Sequence, residues 1–490
     1  MGRLEQVRRP SIPADRLAII AADGVFSHLD LAETAAHVAS GLRATGRTSR
    51  ADLAEARVAF LVPPSFAHVV ISRGIWLAGG VAVPLAASHP PAELEYVIRD
   101  SQASLIIASG RQADALEAIA ASTGALFLRT PDLIAEDASP LPPVPLSPDR
   151  RALIIYTSGT TGKPKGVVTT HGNVAAQVDS LLEAWEWTCD DRALLVLPLH
   201  HVHGTINVLG CAIAAGGACE MLPQFDAEAA WERLASGEIT VFSAVPTIYR
   251  RLIDSWEAAP PRVREARSAG ARRARLMMSG SSALPIGTLE RWRDITGHTL
   301  LERYGMTEIG MALANPLRGE RRPGFVGAPL PGVDVRLVDG ELEIRGPGVF
   351  REYWRRPEDT AAAFHDGWFR TGDTAVVEGG AYRLLGRTST DLIKTGGFKV
   401  SALEIESTLR EHPAVRDCAV VGVPDDDWGE RVCAAVELTG NATVSPGVLQ
   451  DWMKARLAPY KVPKSVVTVE SLPRNAMSKV VKPDVVRLFT

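Results

Sequence analysis

The stretch that most constrains this chain is Tyr156-Thr157-Ser158-Gly159-Thr160-Thr161-Gly162-Lys163-Pro164-Lys165-Gly166, which continues directly from the apolar run Ala152 to Tyr156. A strand that gives way to glycines, hydroxyls and two lysines has to surface in a loop able to wrap an anion. Glycine lets backbone N–H groups approach oxygen closely, hydroxyls add donors, and lysine neutralises charge. Thr157, Ser158, Gly159, Thr160, Thr161, Gly162, Lys163 and Lys165 are therefore candidate ligands of a polyphosphate. The spacing is not that of a Walker loop. By composition alone an ordinary turn accounts for it equally simply.

The chain around this loop alternates. Leu29 to Leu42 and Phe66 to Leu77 have helical spacing, while Val58 to Val62 and Val81 to Leu85 are short apolar runs, the pattern of βαβ units. A Pro-rich stretch, Pro131 to Pro148, leads to the loop-bearing strand. After Trp368 short strands and turns lead to Gly386-Arg387. Beyond them Ser401 to Glu411 and Val448 to Leu457 read as helices, with Cys418 to Val423 and Val432 to Leu438 as strands. The expected fold is α/β, with a large N-terminal domain of α/β subdomains over residues 1–386 and a small mobile α+β domain over 387–490. A length of 490 residues supports more than one domain.

Composition narrows the partners. Hydrophobic residues make up 46% and charged residues 22%, as in a water-soluble globular protein. The 53 Lys and Arg against 57 Asp and Glu leave a net charge of −4, so nucleic acid and anionic membrane are not expected. The basic run Arg262 to Arg275 reads as a solvated face. Five cysteines without CxxC spacing suggest neither a zinc site nor a disulfide framework, and fit a reducing compartment. No apolar stretch reaches the ~20 residues of a membrane helix, and the first residues lack the apolar core of a secretory signal. A cytoplasmic location is expected. A monomer or dimer is expected too.

The string Thr157 to Gly166 resembles the phosphate-binding signature of the adenylate-forming superfamily, which contains acyl-CoA synthetases, peptide-synthetase adenylation domains and beetle luciferases. Similar motifs follow in order: Tyr304-Gly305-Met306-Thr307-Glu308, Thr371-Gly372-Asp373, Gly386-Arg387, and Pro473-Arg474-Asn475 leading to Lys479. The resemblance implies ATP, Mg²⁺ and coenzyme A as cofactors or co-substrates. It implies that Tyr304, with Gly305 and Thr307 beside it, meets adenine, that Glu308 and Thr160 hold Mg²⁺, and that Asp373 bonds the ribose. Arg387 would contact ribose or phosphate. Lys479 would meet the charge developing during adenylation; Ser478 stands before it where the family usually has glycine. The C-terminal domain would turn about Ser389 or Thr390, bringing Gly396 and Gly397 to the pantetheine arm. These types suit their tasks: a π-face for a base, carboxylates for a hard cation and hydroxyls, a guanidinium for anionic oxygen.

Such chemistry makes a carboxylate reactive by giving it AMP as a leaving group before a thiol attacks. Leu301-Glu302-Arg303-Tyr304 and Leu197 to Gly204 resemble malonyl-CoA and methylmalonyl-CoA synthetases. The likeness implies a dicarboxylic acid bound by Arg303 and His203, with Ser279, Gly280 and Ser281 lining the pocket. His200, His201 and His203 also permit a zinc reading, but no Cys, Asp or Glu cluster stands near them in sequence. Arg303 could instead bind a backbone carbonyl or a surface carboxylate such as Glu302. Four other functions share these motifs: a short-chain monocarboxylate synthetase, a stand-alone amino-acid adenylation protein, a luciferase-like oxygenase, and a non-catalytic relative. No carrier domain follows within the chain, and Thr160, Glu308 and Lys479 are all present.

Overall fold

The computed structural model describes residues 13, 15–45, 51–134, 142, 144–157, 163–388, 390–440, 442–475 and 480–490. These residues form four sheets. The first runs Glu352–Tyr353, Lys165–Thr170, Arg151–Thr157, Val81–Pro84, Arg57–Leu61, Leu105–Ala108, Leu126–Arg129, parallel from Arg151–Thr157 onward. Its strands Val81–Pro84 and Leu105–Ala108 are buried at every position. A parallel strand covered by helices on both faces has to be a continuous apolar run, which is why these segments do not alternate in the sequence.

The second sheet has six parallel strands in the order Leu301–Met306, Leu276–Ser279, Val241–Ala244, Arg192–Leu195, Ala218–Met221, Leu17–Ala21. Antiparallel strands extend it at both ends, Gly310–Ala314 beside Leu301–Met306 and Gly24–Ser27 beside Leu17–Ala21. The third sheet is antiparallel and contains Trp368–Glu378 paired with Ala381–Arg387. The fourth lies beyond it. Val415–Asp425 pairs with Gly429–Leu438 at its centre, flanked by the hairpin Leu392–Thr395 and Phe398–Ser401 and by Ser465–Val469, and it carries the helices Ala402–Arg410 and Pro446–Lys454.

The helix Phe66–Leu77 occupies the residues its spacing predicts, and begins where the Ser65 hydroxyl accepts the His68 N–H at 3.3 Å. The basic run is largely the solvated face expected, with Arg262, Arg272, Arg273 and Arg275 exposed and Arg267 the exception. It forms the helix Pro261–Ala271, but Arg267 is buried against Glu228, and Arg275 bonds Asp191 at 2.6 Å and the Trp185 carbonyl at 2.8 Å. Both arginines join distant segments, Arg267 from a buried position and Arg275 from an exposed one.

Candidate active site

The loop-bearing strand Arg151–Thr157 turns back as Lys165–Thr170, with Thr157 opposite Lys165. Ser158, Gly159, Thr160, Thr161 and Gly162 lie outside the described residues, as do Ser389, Ser478 and Lys479. The lysines at the end of the loop are placed. Lys163 sits over the Tyr96 ring at 5.6 Å, and the Tyr96 hydroxyl holds the Pro164 carbonyl at 2.8 Å. Lys165 bonds Asp359 at 2.9 Å and lies 5.2 Å over the ring of Tyr353.

Tyr353 connects this loop to the carboxylate expected to hold a cation. Its hydroxyl donates to Glu308 Oε1 at 2.9 Å. Glu308 is buried, and burial pushes its carboxyl above the usual range. A carboxyl in that state gains from a cation placed beside it. Among the described residues the Glu308 carboxylate is a desolvated oxygen ligand of the kind that suits Mg²⁺, and Thr160, the second expected ligand, lies outside them.

Tyr304 and Asp373 come together as the motifs imply. The Tyr304 hydroxyl donates to Asp373 Oδ2 at 2.6 Å, and Arg387 Nε pairs with Asp373 Oδ1 at 2.9 Å. Burial raises the Asp373 carboxyl, and the Arg387 charge opposes that. Arg387 also donates to the Thr371 carbonyl at 2.8 Å. The three side chains reach one another because Asp373 and Arg387 are directly opposite in the hairpin of Trp368–Glu378 and Ala381–Arg387. Gly305 sits where a Cβ would strike the Gly310 carbonyl, and Thr307 lies in the turn between strands Leu301–Met306 and Gly310–Ala314.

Arg303 precedes Tyr304 on the strand and is 2% exposed. Its Nη2 donates to His203 Nε2, while Nε and Nη1 have no hydrogen-bond partner. Burial pulls the guanidinium down to about 10, still charged at neutral pH. His203, the first residue of a π-helix that runs to Gly210, is held well below its usual range by burial and by the Arg303 charge. A neutral ring accepting at Nε2 carries its proton on Nδ1, which donates to Ser281 Oγ at 3.1 Å. Ser243 Oγ bonds Nε2 at 2.8 Å. Gly280 is required here, because a Cβ would run into the Arg303 guanidinium.

Strand parity separates the remaining candidates. Ser243 pairs with Met278 and Met278 with Leu301, so Ser243 and Arg303 share a face. Ser279 lies on the opposite face with Glu302, and is not brought to His203. Glu302 is 5% exposed, so it is not the surface carboxylate that an alternative role for Arg303 would need. The His200 and His201 rings lie 4.3 Å apart, tilted by 52°, and among the described residues no group of three His, Cys, Asp or Glu side chains is arranged to hold a metal. Gly396 and Gly397, with φ of 56° and 81°, form the tip of the hairpin beside Trp428. Positive φ at both central residues is what a two-residue hairpin turn of this hand requires. The exposed Phe398 next to them stacks on Tyr460 at 4.2 Å. Two groups escaped the sequence reading. Ser243 is a lone serine in an apolar strand, and Tyr353 reaches Glu308 only because Glu352–Tyr353 pairs with Lys165–Thr170.

Residues 7–354 match the AMP-binding enzyme family, and residues 404–479 match the AMP-binding enzyme C-terminal domain. The chain belongs to the AMP-binding enzymes. It is 46% identical to the mitochondrial malonate–CoA ligase of Bos taurus, over 98% of this chain and 89% of that one. The malonate–CoA ligase of Arabidopsis thaliana is 44% identical over 87% and 77%. ATP-bound MatB from Rhodopseudomonas palustris superimposes with a TM-score of 0.89, at 35% identity, covering 97% of this chain and 96% of MatB. Among AMP-binding enzymes its full-length relatives are CoA ligases, and this chain is an AMP-forming acid–thiol ligase that uses ATP and coenzyme A. Among the described residues no helix is long and apolar enough to cross a membrane.

Proposed function

We propose that the acid is a short dicarboxylate, malonate or methylmalonate, and that Arg303 with His203 binds its distal carboxylate. One observation carries this: a buried, charged guanidinium with two nitrogens unpaired. An uncompensated buried charge costs several kcal/mol, so the site is built for a partner that arrives with the substrate. A carboxylate supplies the opposite charge and planar acceptors. The names of the relatives support the same acid, as does a malonyl-CoA ligase complex holding methylmalonyl-CoA and AMP, 37% identical to this chain.

In the first step the proximal carboxylate oxygen attacks the α-phosphorus of ATP, and the bond to the β-phosphate oxygen breaks, releasing pyrophosphate. In the second the coenzyme A sulfur attacks the acyl carbon, its proton leaves, and AMP departs. The protein supplies position and charge. Tyr304, Asp373 and Arg387 would seat adenosine; Lys163 and Lys165 with the Thr157–Gly162 loop would hold the phosphates; Lys479 would stabilise charge in the first step. Mg²⁺, held by Glu308 and Thr160, would neutralise phosphate charge. Gly396 and Gly397 would admit the pantetheine arm.

We place the domain boundary at 386/387 and the hinge at Ser389 or Thr390. Thr388 N–H still bonds the Gly372 carbonyl of the larger unit at 2.9 Å, whereas the Asp391 carbonyl already accepts Ala402 N–H of the smaller one at 2.8 Å. The ATP-bound MatB likeness, 0.89, exceeds that to the methylmalonyl-CoA and AMP complex, 0.68, at similar identity. That difference supports an adenylation-like placement of the two units. Five free cysteines suit a reducing compartment, read here as the cytoplasm. ATP–pyrophosphate exchange across malonate, methylmalonate, acetate and butyrate tests the reading: exchange strongest with the dicarboxylates supports it, and equal exchange with butyrate overturns it.

A further inference from the structure

Glu302 and Arg303 are neighbours on one strand and so project to opposite faces of the sheet. On its own face Glu302 Oε1 accepts the backbone N–H of Leu284 at 3.0 Å, while Oε2 has no hydrogen-bond partner. Its main chain is fixed as well: its carbonyl accepts the Asn315 N–H at 3.1 Å and Asn315 Nδ2 at 3.0 Å. No lysine or arginine pairs with this carboxyl among the described residues. Among the described residues the group this carboxyl holds is the Leu284 N–H.

Leu284 lies near the end of the segment 280–285, which joins the strand Leu276–Ser279 to the helix Ile286–Thr296. At the other end of the segment Ser281 adopts φ 70°, a left-handed conformation that a serine keeps only when its surroundings enforce it. Ser281 Oγ is the acceptor for His203 Nδ1 at 3.1 Å. The strained residue that orients His203 thus belongs to a segment tied from behind the sheet by a buried acid.

We infer that Glu302 is a positioning residue for the acid site, holding segment 280–285 so that Ser281 keeps the His203 ring turned toward Arg303. This rests on the dicarboxylate reading. With Ser281 in place, Nδ1 keeps its proton and Nε2 presents its lone pair to Arg303, which fixes the guanidinium for the distal carboxylate. When the segment slackens, the ring loses the acceptor that holds its Nδ1 side, and with that its orientation toward Arg303. A monocarboxylate, which does not use Arg303, is indifferent to that change.

The test compares Glu302→Met, Glu302→Asp, Glu302→Gln, Ser281→Ala and the Glu302→Met/Ser281→Ala double variant, with kcat/KM for malonate and for butyrate and KM for ATP. Glu302→Met lowers the malonate-to-butyrate ratio by about tenfold or more, with the ATP KM unchanged, and the double variant falls no further than the worse single one. Glu302→Gln, whose amide oxygen still accepts the Leu284 N–H, stays within about threefold of wild type. Glu302→Asp, which shortens the reach and preserves the fold if methionine does not, lies between them. A malonate preference untouched by Glu302→Met and Glu302→Asp overturns the inference alone, as do losses equal on both acids or losses that multiply in the double variant. A wild type with no malonate preference overturns the dicarboxylate reading together with it.

Discussion

Replacing Arg303 with methionine keeps most of the side-chain volume while removing the charge, and it isolates what the guanidinium does. In the free protein Nε and Nη1 are unpaired and Nη2 bonds His203. Each hydrogen bond from a charged donor to the substrate contributes ~1.5–3 kcal/mol, and two such bonds become available when a carboxylate enters. The variant also strands the substrate's distal charge beside His203, which is held neutral and does not replace the guanidinium. At ~1.4 kcal/mol per factor of ten, even the lower bound predicts a loss in malonate kcat/KM of about a hundredfold. Acetate and butyrate behave differently: they make no use of the guanidinium, and the variant removes a buried unpaired charge from their path. They lose far less, and butyrate improves. Steady-state kinetics on malonate, methylmalonate, acetate and butyrate with a folded variant reads this directly. An equal loss on all four acids would refute the reasoning and leave a general short-chain acyl-CoA synthetase.

Lys479→Ala abolishes malonate-dependent ATP–pyrophosphate exchange but spares coenzyme A attack on supplied malonyl-adenylate; equal loss of both half-reactions refutes the assignment. Lys165→Ala raises the ATP KM by the same factor for every acid if the loop holds phosphate as proposed, its partners Asp359 and Tyr353 being distinct from Arg303 and His203; a changed acid preference contradicts this. Glu302 titrates at about 7 in the folded chain, raised by burial from 4.5. Its folded value lies above its unfolded one, so the proton it binds on folding stabilises the protein fully below about pH 4.5 and progressively less as pH rises through 7. Relative to Glu302→Gln, the wild-type Tm falls between pH 5 and pH 8; parallel Tm curves refute it.

The fold was legible where one strong local pattern met one environment. Phe66 to Leu77 shows helical spacing because one face packs on the core, and Ser65 marks its start. Val58 to Val62 and Val81 to Leu85 read as short apolar runs because helices on both faces demand unbroken apolar strands, and the strands Arg57–Leu61 and Val81–Pro84 lie there. Tyr304, Asp373 and Arg387 were legible as parts of one ordered set of motifs, and their side chains come together, while residues 158–162 of the loop lie outside the described residues. What escaped depends on register and on contacts far apart in sequence. Ser243 meets His203 only through the alignment of Val241–Ala244 with Leu276–Ser279. Arg267, read as solvated, is buried against Glu228, a partner 39 positions away, and the exposed Arg275 pairs with Asp191, 84 positions away. The parity that sends Ser279 and Glu302 behind the sheet follows from strand pairing, and the π-helical start at His203 has no local signal in its residues.

On the proposed reading malonate is activated through its adenylate. Malonate carrying heavy oxygen in its carboxylates, incubated with ATP, coenzyme A and the enzyme, tests this in one mass spectrum of the products. Attack of a carboxylate oxygen on the α-phosphorus leaves one labelled oxygen in AMP for each malonyl-CoA formed, with pyrophosphate unlabelled. Label in inorganic phosphate with ADP as the nucleotide product, or unlabelled AMP beside malonyl-CoA, contradicts the account.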